Sequence, residues 1–129
     1  MSQLIAIAVA GAIGTLARVG LGQAVVGWLG EDFPYGTLTA NAIGSLIMGF
    51  FAHVLLHHPQ IPPSARIPLT TGLLGAFTTF STFSLDTVRL LEAGRQGAAL
   101  ANVASNVSLG LALCAIGLAA GRAWVPSLG

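Results

Sequence analysis

A chain of 129 residues with 54% hydrophobic and only 7% charged side chains cannot clothe a soluble domain, whose surface takes about 25% charged residues. Its charges are five Arg and four Asp or Glu, with no Lys, and the mean hydropathy is +0.84. A formal net charge of +1 excludes the basic footprint of a nucleic-acid binder, and the lone Cys114 excludes an intrachain disulfide or a Cys-based metal site. What remains is a chain whose solvent is the lipid bilayer.

The first apolar stretch, about Leu4 to Leu29, lacks a basic n-region and is too long for a signal peptide, so it reads as a retained transmembrane helix. Its single charge, Arg18, lies roughly 21 Å along the helix from Leu4, counting 1.5 Å per residue. At that depth a guanidinium meets carbonyls, water or a ligand, or else snorkels outward. Gly30-Glu31-Asp32-Phe33-Pro34 is then a polar turn.

A second, uncharged span runs from about Gly36 to Leu56. Ala40 and Gly44 have the small-xxx-small spacing that lets helices approach, and Asn41 shares a face with Ser45. A Pro-rich connection follows. The adjacent His57 and His58 have no third ligand nearby, so they read as a solvated helix end, and His53 is treated in the same way.

The third span, about Ile67 to Leu91, departs from a Leu-rich membrane helix. Residues 70–87 carry Gly72 and Gly75, then a dense Thr/Ser/Phe run with Phe77, Phe80 and Phe83. Glycine loosens the helix while Thr and Ser hydroxyls offer alternatives to its backbone bonds. This predicts a break near Gly75 to Thr79, tolerated in a bilayer only where buried in protein or lining a cavity. Carbonyls freed at Gly75 and Thr78 suit a small hard cation, and the restarting half-helix favours an anion. Phe80 and Phe83 either pack or turn electropositive ring edges towards that anion.

The fourth span, about Ala98 to Ala120, carries Asn102 and Asn106 on one face, flanked by Ser105 and Ser108, and the close-approach pair Gly117/Gly121. The amides join helix to helix or face a polar path. The fold class is therefore all-α, one domain of four transmembrane helices (spans 4–29, 36–56, 67–91 and 98–120) with the third broken near its middle. Arg66 and Arg122 fall on the side of the termini, Arg89 and Arg95 on the other. That balance gives the positive-inside rule no preference. Either an unseen cue sets the orientation, or both orientations insert and pair antiparallel.

Three segments together resemble the Fluc/CrcB family of fluoride channels. They are Gly11-Ala12-Ile13-Gly14-Thr15-Leu16-Ala17-Arg18, Phe33 to Gly44 with its Gly36-Thr37-Leu38-Thr39-Ala40-Asn41 motif, and Gly75-Ala76-Phe77-Thr78-Thr79-Phe80-Ser81-Thr82-Phe83-Ser84. The resemblance extends over the whole chain. It implies a dual-topology antiparallel homodimer in the cell membrane (the inner one in a Gram-negative cell), a fluoride-specific channel for passive export of fluoride. It also implies one structural sodium ion, held by backbone oxygens of Gly75 and Thr78 and not transported. Carried over, the fluoride path takes in Asn41, Phe80, Phe83, Ser81, Thr82 and the polar face of the fourth helix with Asn106, while Arg18 attracts anions or supports structure. Asp86 stands where the family usually has Glu, Val19 where Tyr often follows the Arg, and Asn102 and Asn106 where Tyr and Ser occur.

Two other classes compete. A small four-helix proton-coupled multidrug exporter needs a carboxylate at mid-membrane, whereas Glu31, Asp32 and Glu92 fall in loops and Asp86 near a helix end. A structural subunit of a membrane complex would use the buried amides and hydroxyls as glue and conduct nothing. An enzyme is not expected, since no nucleophile–base pair or metal-ligand cluster is legible.

Overall fold

A computed structural model describes residues 2–125, and every regular element among them is helical. Three helices are long and apolar enough to cross a membrane: α1 (Ser2–Leu29), α2 (Tyr35–His57) and the last, α5 (Gln96–Trp124). They match the expected first, second and fourth spans, with α5 extended at both ends. Helix α1 ends on Gly30, whose φ of 81° only glycine adopts freely, and whose N–H donates to Val26 O at 2.8 Å.

The third span is interrupted, as the Gly/Thr/Ser pattern predicts. After a 3₁₀ turn at Pro63–Ala65 the chain winds as a π-helix over Pro68–Leu74, then one short turn, α3 (Gly75–Phe77). Thr78 (φ −88°, ψ 159°) and Thr79 (φ −153°, ψ 114°) are extended, and α4 (Phe80–Glu92) restarts the helix. The π-helix was not foreseen. Pro68 contributes no N–H, the Thr70 hydroxyl donates to Arg66 O at 2.7 Å, and Gly72 packs against α1 near Ile7 and Ala10. Helix α4 closes with the N–H of Arg95 on Leu90 O at 2.9 Å, around Gly94 at φ 73°.

Helix α2 is the hub. Against α5, a Cβ on Gly49 would run into the Cys114 carbonyl, one on Gly117 into the Leu46 carbonyl, and one on Gly121 would stand 2.6 Å from Phe50 O. The two backbones therefore touch directly, which is how helices gain dispersion energy where lipid offers no hydrophobic drive. On the other side, Gly44 meets the Thr78 methyl and the Phe77 ring, while Gly14 of α1 lies under the Leu73 carbonyl. Gly14 and Gly44 are near the midpoints of their helices, so the break sits at mid-membrane depth. Side chains facing away from these seams, such as Leu16 and Leu111, are exposed on the single chain.

The histidines correct one expectation. His53 is buried, not solvated: its Nε2 donates to the Val125 carbonyl at 2.7 Å, and its ring stacks on His57 at 4.1 Å. Arg66 Nε donates to Leu55 O at 2.9 Å and so occupies a carbonyl at the end of α2. Among the described residues no group of three metal-capable side chains forms.

Candidate functional site: a polar seam at the broken helix

The break is held by four side chains. The Thr78 N–H and hydroxyl both reach Leu74 O, at 3.0 and 3.1 Å, and finish the first half-helix. Thr79 caps the second: its Oγ1 accepts from the Thr82 N–H at 3.2 Å and donates to the Thr82 hydroxyl at 3.0 Å. Asn41 then clamps the extended residue. Its Oδ1 accepts from the Thr79 N–H at 2.7 Å and its Nδ2 donates to Thr79 O at 3.1 Å. Arg18 Nε donates to Ala76 O at 3.1 Å, so this deep cation neither snorkels nor stands free but sits at the negative end of the first half-helix.

The break takes the helical donors from the carbonyls of residues 75–78, of which Ala76 O is taken up by Arg18. An α-helix would pair the Thr79 N–H with Gly75 O and the Thr82 N–H with Thr78 O. Both donors are diverted, the first to Asn41 and the second to the Thr79 hydroxyl. Gly75 is exposed on the single chain, and a Cβ there would make only an ordinary 3.5 Å contact with Thr70 O. Gly75 and Thr78 are among the residues whose carbonyls lose their helical donors at the break.

From Asn41 a hydrogen-bonded ladder crosses to α5 and returns to α4. Asn41 Nδ2 donates to Asn106 Oδ1 at 3.0 Å, and Asn106 Nδ2 donates to both Asn102 O and Asn102 Oδ1 at 3.0 Å. Asn102 Nδ2 donates to Thr87 Oγ1 at 3.0 Å, and that hydroxyl donates to Phe83 O at 2.8 Å. The orientation of Asn41 is not arbitrary, because the Thr79 N–H can only donate and its carbonyl only accept. Asn102 is wholly buried. Thr79, Thr87 and Asn102 are members of the site that the sequence did not single out as such. Their signal was only that polar groups at mid-span require partners.

A cleft of about 320 Å³ opens beside this ladder, lined by Asn41, Ser45, Thr78, Phe80, Phe83 and Asn106 among others. Phe83 is buried and Phe80 is 79% exposed, with ring centroids 5.5 Å apart. Asn41, Phe80, Phe83 and Asn106 are therefore brought together. Ser81 and Thr82 do not line the cleft, and their hydroxyls face Thr79 Oγ1 instead. A second cavity of about 580 Å³ reaches from the α1–α2 and α4–α5 turns down to Arg18 and Thr79. Arg89, Arg95, Glu31 and Asp32 line this vestibule, as does Asp86, which accepts from the Thr37 hydroxyl at 2.8 Å. Thr79 faces both spaces and is the partition between them.

A helical multi-pass membrane protein with one span broken at mid-depth, beside a polar cleft and below a charged vestibule, belongs to the class built to carry small ions through lipid. Comparison with known proteins gives the particular family. The family described as "CrcB-like protein, Camphor Resistance (CrcB)" matches residues 5–118, and this chain belongs to it. A fluoride-specific ion channel FluC of Magnetococcus marinus is 43% identical over 120 residues, which is 93% of this chain and 98% of that one. The fluoride-specific ion channel FluC 2 of Symbiobacterium thermophilum is 45% identical over 111 residues, covering 86% and 90%. The FluC of Geobacter metallireducens is 44% identical over 122 residues, covering 95% and 98%.

Proposed function

We propose that this chain is a fluoride-specific ion channel of the cell membrane that lets fluoride leave the cell passively and so lowers its cytoplasmic level. It is a channel and not an enzyme. The observation that carries the reading is the cleft at the break, where Asn41 and Asn106 meet the rings of Phe80 and Phe83. Fluoride is small and tightly hydrated, so a pore must replace its water with N–H and O–H donors and with electropositive ring edges. Ser81 and Thr82 add hydroxyls at the start of α4, next to Thr79. Asp86, the acidic group within the broken span, is tied to Thr37 on the vestibule wall and leaves the cleft free of carboxylate charge.

The working unit in this reading is an antiparallel homodimer. An exposed Phe80 and an exposed backbone at Gly75, beside a mid-membrane break, call for a second protein surface. A sodium ion between the subunits would be held by the Gly75 and Thr78 carbonyls, which their helical donors have left. It would supply fixed positive charge at the centre of the assembly. The Arg18 guanidinium, on the vestibule wall and against Ala76 O, biases the approach towards anions.

The test is efflux from liposomes reconstituted with the purified protein. A fluoride electrode should record rapid release that the empty vesicles lack, and a chloride electrode should record none. Equal release of both ions, or of neither, overturns the reading.

A further inference from the structure

The ladder between α2, α4 and α5 can run in two directions, and only the resting one pairs all of its amide donors without an anion. In the resting direction the Asn41 amide hydrogen that faces the cleft is spent on Asn106 Oδ1, and Asn106 turns its own donors away towards Asn102. An anion in the cleft then meets no free amide hydrogen. Suppose instead that Asn106 and Asn102 each rotate their amides by half a turn. Asn102 Nδ2 now donates to Asn106 Oδ1, and the Thr87 hydroxyl leaves Phe83 O to donate to Asn102 Oδ1. Asn106 Nδ2 points into the cleft. Asn41 cannot follow, since the Thr79 backbone pins both ends of its amide.

We propose that this amide relay is the fluoride-gated element of the cleft: its reversal builds an anion seat from Asn41 Nδ2 and Asn106 Nδ2, and Thr87 sets its polarity. The proposal rests on the fluoride-channel reading above. The geometry fits. The two positions are 3.0 Å apart, and an anion about 2.8 Å from each nitrogen, the usual charge-assisted distance, completes a nearly equilateral triangle with its apex in the cleft. Without an anion the reversed state sets two donors against each other and places Asn106 Oδ1 against the Asn102 carbonyl. The relay therefore stays shut to weak acceptors. A small anion of high charge density gains most from two charge-assisted bonds and opens it, whereas a large diffuse halide gains less.

Thr87 separates this role from simple packing. Removing its hydroxyl strands the buried Asn102 Nδ2 hydrogens in the resting direction, but only a carbonyl lone pair in the reversed one. A buried donor without a partner is the costlier defect. Thr87→Val should then lower the fluoride concentration giving half-maximal flux by about tenfold, the equilibrium equivalent of one unpaired buried donor. Thr87→Ser, which restores the hydroxyl, returns the value towards that of the wild type. Asn102→Leu should act the opposite way and raise it, because a reversed Asn106 Oδ1 then has no donor. Both values come from liposome efflux over a fluoride series, on protein that elutes as the wild type does by size exclusion. Should Thr87→Val not assemble, side-chain amide NMR of the wild type decides. Fluoride should shift the Asn102 and Asn106 amide signals together while chloride leaves them in place. Shifts of the same sign for Thr87→Val and Asn102→Leu, no shift in either, or amide signals indifferent to fluoride overturn the relay while leaving the channel reading intact. Absence of fluoride flux in the wild type overturns the channel reading instead.

Discussion

Exchanging Asn41 for Asp alters one atom of the clamp and inverts its electrostatics. Oδ1 still accepts from the Thr79 N–H, but the second oxygen now confronts Thr79 O and Asn106 Oδ1, the acceptors that Nδ2 held at 3.1 and 3.0 Å. Two hydrogen bonds vanish, worth about 2 kcal/mol together. A carboxylate also appears on the wall of the cleft. Fluoride held about 4 Å from it is repelled by about 4 kcal/mol at an effective dielectric of about 20, an occupancy loss on the order of a thousandfold. Flux from liposomes, followed with a fluoride electrode, should fall to the level of empty vesicles, while size exclusion still reports assembled protein. Wild-type flux from well-assembled Asn41→Asp would show that the ion does not pass this wall, and the pathway would have to be redrawn.

Three other outcomes follow from the same geometry. Phe83→Ile and Phe80→Ile keep apolar bulk but lose the ring quadrupole; efflux should fall steeply in both, with a loss of thermal stability only for the buried Phe83, and near-normal flux in both would mean that the rings merely pack. Gly75→Val should leave the single chain folded, since that side is open within it, yet abolish sodium-dependent dimerisation on size exclusion, whereas Thr78→Ser keeps the carbonyl and should dimerise; a Gly75→Val dimer indifferent to sodium would refute the cation site. Gly117→Ala drives a methyl into the Leu46 carbonyl and should cost about 1–3 kcal/mol by overpacking, read as lower thermal stability in detergent; an unchanged midpoint would mean that the α2–α5 backbones are not in contact.

The spans and the position of the break were legible because they depend on local chemistry. Hydropathy over a helix length marks the spans, and Gly with crowded hydroxyls marks where helix bonds are released, here at Thr78 and Thr79. Partners were less legible. Asn41 and Asn106 were singled out separately, yet nothing in their spacing says that the two amides meet, which depends on how α2 and α5 are rotated about their axes. Thr87 is one hydroxyl among many in the third span, and only the packing of α4 on α5 brings Asn102 to it. Gly49 escaped notice although Ser45 stands four positions before it on α2 and it packs as closely as Gly117. The π-helix lies where Gly72 packs against α1, a contact that no window along the third span contains.

Helix α1 illustrates how unevenly such a chain is constrained. Of its residues only Gly14 is buried, and its grip on the rest of the molecule follows one stripe through Gly11, Gly14 and Arg18, spaced three and four apart so that they share a face. Most of the remaining circumference is exposed on the single chain, and wherever it faces acyl chains Leu, Ile, Val or Ala serve almost alike. Related sequences can therefore drift freely around most of this helix while that narrow edge stays legible, and two chains with dissimilar first helices can still seat the same guanidinium against the same broken turn.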